Sequence, residues 1–226
     1  MKKLIKEVKH IVSKAIKIHW KLFEMIESKK AKKRIKNTDF TIISSNCCSG
    51  WIYKLLGMRF DSPTINLWID KKEFILFASD LHYYLAQKLK FYKKEGRTCP
   101  CAYIGEDNRK ISIDFIHYET EEIAEKKWIE RKKRIHWDNL YIITCDDDKV
   151  KDEDFKLLDN ANCKRKIVFT AVDRAIKDSF TLHTIRKRNS AAYMQVDRNP
   201  ITGYRPYERE FDFVAWFNGE NDFRKK

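Results

Sequence analysis

Glycine and proline are scarce, at six and four of 226 residues, and their scarcity excludes collagen-like and low-complexity chains. No run approaches the ~20 consecutive apolar residues that a membrane span needs. The N-terminus lacks an apolar segment followed by a small-residue cleavage site, so a cytoplasmic protein is expected. No GxGxxG, GxxxxGK[ST] or GxSxG string occurs, which sets aside the dinucleotide-binding, P-loop and α/β-hydrolase classes. The six cysteines, Cys47, Cys48, Cys99, Cys101, Cys145 and Cys163, include no CxxC pair, and without a secretion signal they read as thiols. No motif calls for a cofactor or a structural metal.

What is present is enough for a core. Hydrophobic residues make up 43% of the chain and aromatics 13%, and the length suits one medium domain with an appendage. The formal charge of +14 is unevenly placed. The first 36 residues hold 13 basic and three acidic side chains, a net of +10, so the remaining 190 carry only +4. In that basic segment Leu4, Val8, Ile11, Ala15, Ile18, Leu22 and Met25 recur in steps of three and four, which predicts a long amphipathic helix. Such a helix packs on the domain or on a second copy, or adsorbs to an anionic membrane surface. Nucleic acid is not the expected partner, because the body carries no basic stripe with interleaved aromatics. Residues 1–36 are therefore read as basic helix and charged linker, with the linker at 29–36, and 37–226 as the folded domain.

In the domain, Phe40–Ser45 is a β-branched run that predicts a buried strand. Asn46, Cys47, Cys48, Ser49 and Gly50 follow it, and a short helix through Trp51 ends at Gly57. A brief strand at Leu67–Trp68 and a helix from Lys71 to about Lys90, capped by Asp70, come next. Strands at 101–105 and 110–117, a helix from 120 to 134, a strand at 140–144, a helix at 152–158 and a strand at 166–170 complete the pattern. Strands alternating with helices predict an α/β layered domain with a mixed, largely parallel sheet, preceded by the basic helix. Alternation along 110–117 places His117 on the face shared by Ile111, Ile113 and Phe115.

Two constellations could carry chemistry. Cys47 stands where a strand turns into a helix, against unpaired N–H groups and the positive end of the helix dipole, which favour thiolate. A cysteine nucleophile needs a base, and His117 is the candidate; Asp138, Asn139 or Asp114 could orient the imidazole. Trp51, Tyr53, Asn46 and Asn66 around the turn suit a sugar ring that stacks on one face and bonds at its edge, and Ser49, Gly50, Tyr118 and Arg131 complete the substrate-binding set with Asn46 and Trp51. The second constellation is Asp146-Asp147-Asp148 after a hydrophobic strand, the DxD arrangement by which sugar-nucleotide transferases hold a divalent cation against a diphosphate. Arg131 and Arg134 could line an anionic site, although bracing of the sheet is the preferred reading.

The string from Ile42 through Cys47, Cys48, Gly57 and Asp61-Ser-Pro-Thr64 resembles the opening of a bacterial family catalogued as domain of unknown function 1919. Blocks at 113–118, 124–140, 166–170 and 213–219 resemble its later segments in the same order, so the resemblance runs from about Asp39 to Glu220 and leaves the basic helix outside. Members are similar to proteins encoded among genes for exopolysaccharide, capsule and lipooligosaccharide assembly, which implies a role in surface-polysaccharide biosynthesis with a glycan or glycolipid intermediate as partner. The order of parts is also similar to that of a neighbouring family proposed to be papain-like cysteine enzymes. That likeness implies an acyl or related group transfer with Cys47 as nucleophile and His117 as base. An aromatic residue and two glycines usually follow the Cys there; here Cys48, Ser49 and Gly50 do.

Overall fold

The computed structural model describes residues 2–185 and 190–225. The chain opens with a helix, α1 (Lys2–Arg34), and enters the domain through strand β1 (Thr41–Ser44) and helix α2 (Cys48–Leu56). Then come β2 (Trp68–Ile69), α3 (Lys71–Ser79), α4 (Leu81–Ala86), β3 (Lys90–Tyr92), β4 (Cys101–Ile104) and β5 (Ile111–Asp114). Helix α5 (Glu121–Lys132), strands β6 (Leu140–Cys145), β7 (Arg165–Thr170) and β8 (Ser179–Thr181), and helices α6 (Pro206–Glu210) and α7 (Phe213–Phe217) follow.

The α/β class expected from the sequence is what the chain adopts, with its parallel and antiparallel pairings divided between two four-stranded sheets. One sheet is wholly parallel, in the order β1-β6-β7-β8, and the other is antiparallel, in the order β2-β5-β4-β3. The parallel sheet is covered on both faces, as parallel sheets are. Alternate residues explain how. Ile42, Tyr141, Ile143, Ile167 and Phe169 pack against α2 and the C-terminal helices, whereas Ile43, Leu140, Ile142 and Val168 pack against the antiparallel sheet and α3 to α5. All six residues of β6 are buried, so β6 reads as a continuous apolar run. The two sheets meet where the Ile69 N–H donates to the Ser45 carbonyl, at 3.4 Å.

Several sequence-based boundaries shift for local reasons. Residues 29–34 continue α1 instead of forming a linker, because the helix packs on the domain: Ser28 donates to Leu55 O at 2.7 Å and Ala31 is buried. The helix expected from Lys71 to Lys90 breaks at Asp80, whose carboxylate caps the Tyr83 N–H and starts α4. Residues 154–160 form 3-10 turns, not an α-helix. Strand β5 ends at Asp114, since the Tyr118 N–H closes a turn onto Phe115 O at 3.0 Å. His117 therefore lies exposed in that turn, not on the apolar face of a strand. Of the predicted stripe on α1, the Leu4, Val8 and Ile11 side chains lie outside the described residues. No helix among the described residues is long and apolar enough to cross a membrane.

Candidate active site at the Cys47 turn

Parallel strands deliver their carboxyl ends to one edge of the sheet, the usual place for ligands in open α/β sheets. Cys47 occupies that edge directly after β1, at the N-cap of α2, with no side chain capping the helix through it. The turn is held from within. Asn46 is buried, and its Oδ1 accepts from the Cys48 N–H at 3.0 Å and from Gln195 Nε2 at 3.0 Å. Ser44 Oγ donates to Asn46 O (2.7 Å), which leaves it to accept from Ser49 Oγ (2.8 Å). A Cβ at Gly50 would meet Asn66 Oδ1 at 3.6 Å, so the 65–66 loop lies over the first turn of α2.

Sequence reasoning placed Tyr118 and Arg131 near this turn, and the structure bonds them to one another. Arg131 Nη1 donates to Tyr118 Oη, and both reach Ile65 O, the hydroxyl at 2.9 Å. A negative charge on Cys47 would raise the Tyr118 hydroxyl further, which burial already pushes up; Arg131 opposes both effects. Arg131 is thus a brace and a cation at the same site.

Burial pushes the Cys47 thiol above its ordinary value, and Arg205 acts against the rise. The thiolate expected from the helix dipole is therefore not the resting form at neutral pH. Cys48, fully enclosed, is pushed up to about 12 by burial first and the neighbouring thiol Cys145 second. Only Cys47 of the two is partly open to solvent.

Sequence reasoning did not single out Arg205. It lies in a tail without clear periodicity, and only the following proline with Glu208 three positions on hints at a helix start. Its Nε donates to Gln195 O at 3.0 Å and its guanidinium pairs with the buried Glu208. Gln195 links this arginine to Asn46 and accepts from Tyr207 Oη at 3.1 Å. Arg205 also lines a cavity of about 160 Å³ with Trp20, Trp51, Glu24, Arg198 and Glu208. Trp51 is half-buried, with Tyr207 and Phe213 set edge-on to it at 5.6 and 6.2 Å between centroids. Two indoles among carboxylates and guanidiniums suit one sugar ring, and the volume falls below the ~300 Å³ of pockets that take larger ligands.

Lys71 is a second residue that the sequence left unremarked. It is 1% exposed, its Nζ donates to Ser45 Oγ at 2.9 Å and sits 4.6 Å from the Trp68 ring centre. No carboxylate pairs with it among the described residues. Burying an ammonium without a counterion costs stability, and this one is bonded to Ser45, two residues before Cys47.

His117 and Asp138 are not brought together. The His117 imidazole is exposed and makes no bond among the described residues, and Asp138 is exposed in a 3-10 turn at Trp137–Asn139. The other candidate orienters are engaged elsewhere: Asp114 with Lys94 and Arg97, Asn139 with Asn37 and the Asp39 carbonyl. The acidic run does not assemble as a cation site either. Asp146 is buried and accepts from the Ala191 N–H, with Arg174 Nη1 at 3.4 Å, whereas Asp148 is exposed. No group of three His, Cys, Asp or Glu side chains among the described residues could hold a metal ion.

A family model described as "Domain of unknown function (DUF1919)" matches residues 18–218. An uncharacterized protein of Haemophilus influenzae is 30% identical over 190 residues, covering 83% of this chain and 88% of its own length. The family match takes in α1 from residue 18 onward, so the second half of the basic helix lies inside it, contrary to the expectation that the helix stands apart.

Proposed function

We propose for this chain, which belongs to the DUF1919 family, a role in bacterial surface-polysaccharide biosynthesis as a cysteine-dependent group transferase acting on a glycan or glycolipid intermediate. The observation that carries the site is Arg205, which lines the Trp20–Trp51 cavity and is joined through Gln195 to Asn46, the residue before Cys47; Cys47 itself does not line the cavity. The polysaccharide setting rests on the resemblance of the sequence to proteins of exopolysaccharide and capsule loci.

In the proposed transfer, a sugar unit stacks on Trp51 while Cys47 sulfur attacks the acyl carbon of a donor. The thiol proton passes through His117 to the departing oxygen, and a glycan hydroxyl then takes the acyl group from the thioester and restores the thiol. Because His117 is exposed in the resting structure, this role requires the 115–118 turn to carry the imidazole onto the thiol. The Ser49 and Gly50 N–H groups of the first turn of α2 are the donors for the oxyanion, since the Cys48 N–H is taken by Asn46 Oδ1.

A second reading, glycan binding without chemistry, is favoured by burial of Cys47, which keeps the thiol protonated. Comparing the polysaccharide of cells carrying Cys47→Ala or Trp51→Ala with that of a gene deletion separates the two. Transfer chemistry predicts that Cys47→Ala reproduces the deletion, with loss of one substituent. Binding alone predicts a silent Cys47→Ala and a defective Trp51→Ala. If the deletion itself leaves the polysaccharide unchanged, the assignment to this process falls.

A further inference from the structure

The face that α1 turns to the domain is not its most apolar one. Trp20, Phe23, Glu27 and Ala31, in steps of three and four, face inward. Trp20 Nε1 donates to Pro200 O at 3.1 Å, Phe23 packs edge-on against Tyr204, and Ala31 is buried. On the opposite side Ile18, Leu22, Met25 and Ile26 are 65, 53, 49 and 51% exposed. A helix that seats one largely aromatic face on the domain and shows solvent a second, aliphatic stripe has that stripe free for another surface.

The charges on the two faces are sorted as well. Between residues 14 and 34 the only acidic side chains are Glu24 and Glu27, and they are held on the domain side, Glu24 by Lys54 at 2.7 Å and Glu27 by Lys30 at 3.3 Å and Lys225 at 3.6 Å. Lys14, Lys21, Lys29 and Lys33 are exposed around the aliphatic stripe, whereas Lys32 folds over Gly57 at the end of α2. We infer that the outer face of α1 docks on an anionic phospholipid bilayer, with Ile18, Leu22, Met25 and Ile26 entering the interface and the lysines meeting the headgroups. Apolar residues flanked by unopposed lysines are what such a surface binds, each contributing through burial and electrostatic attraction. A self-pairing helix would set these lysines against their own copies, so the charge pattern favours lipid over a second chain. Docking this way leaves the Trp20–Trp51 cavity on the other side of the same helix, about 10 Å from the lipid. The inference stands without the reading of Cys47.

Co-sedimentation of the full chain with vesicles tests it. Phosphatidylglycerol–phosphatidylcholine vesicles are expected to bind the protein roughly tenfold or more above phosphatidylcholine alone, with the excess lost in high salt. A Leu22→Glu/Met25→Glu variant and a Lys21→Glu/Lys29→Glu variant, both changed only at exposed positions, are each expected to lose that excess while keeping the wild-type melting curve. Equal binding to neutral vesicles, or wild-type binding by both variants, overturns the inference. So does a dimer, seen by light scattering without lipid, that the Leu22→Glu/Met25→Glu change dissociates.

Discussion

The indole of Trp20 lies directly on Gly203. A Cβ at that glycine, whose φ is +73°, would fall 2.4 Å from Trp20 Cγ. The basic helix is thereby part of the domain's surface, fixed by a contact that a single methyl would break. Gly203→Ala is expected to cost about 1–3 kcal/mol from strain and overpacking. It should also free α1, seen as faster proteolysis within residues 1–34. Gly96→Ala is the control: it shares a positive φ, but nothing lies within 4 Å of its Cβ, so it should leave α1 protected.

Lys71 and Ser45 form the pair behind the Cys47 turn. Replacing a buried charge with an apolar side chain of similar length is often neutral or stabilising, so Lys71→Met should melt at or above the wild-type temperature. Ser45→Ala should instead cost about 1–3 kcal/mol, because the ammonium loses its acceptor. If Lys71 positions the turn, Lys71→Met alters the alkylation rate of Cys47 despite its stability. An unchanged rate would reduce Lys71 to a packing residue.

In the acidic run Asp146 is structural and Asp147 caps a turn through the Lys149 N–H, whereas Asp148 is exposed with no partner among the described residues. Asp146 joins the end of β6 to the Ala171 and Ala191 N–H groups and to Arg174. Asp146→Asn should therefore destabilise by about 3 kcal/mol, while Asp148→Asn leaves the melt unchanged. A metal-dependent transferase would behave differently, with both variants losing cation-dependent nucleotide-sugar binding; calorimetry with Mn²⁺ distinguishes the two.

Most elements were legible wherever local chemistry decides them. Gly57 ends α2 in the left-handed conformation, Asp70 caps α3 through the Lys72 N–H, and Thr120 caps α5 through the Ile123 N–H. The edge strand β3 was not, because Lys88, Lys90, Lys93 and Lys94 mask its alternation and it pairs only with β4. Which surface the α1 stripe meets was not legible either, because a helix periodicity marks an apolar face without saying what covers it. At the site, the turn residues Asn46 to Trp51 were visible as a local string. Arg205 and Gln195 were not, since they arrive from a stretch about 150 residues away with no motif of their own. His117 was placed by extending an alternation three residues beyond the strand's true end.

The claim that Cys47 and the Trp20–Trp51 cavity form one site rests on Arg205, and the pH dependence of Cys47 alkylation in the folded protein tests it most directly. Burial holds the thiol up and the guanidinium draws it down, so removing that charge with Arg205→Met should move the alkylation midpoint to higher pH. Cys48, held near 12 in a closed position, should stay unmodified as the internal reference. A midpoint in Arg205→Met equal to or below that of the wild type would contradict the account.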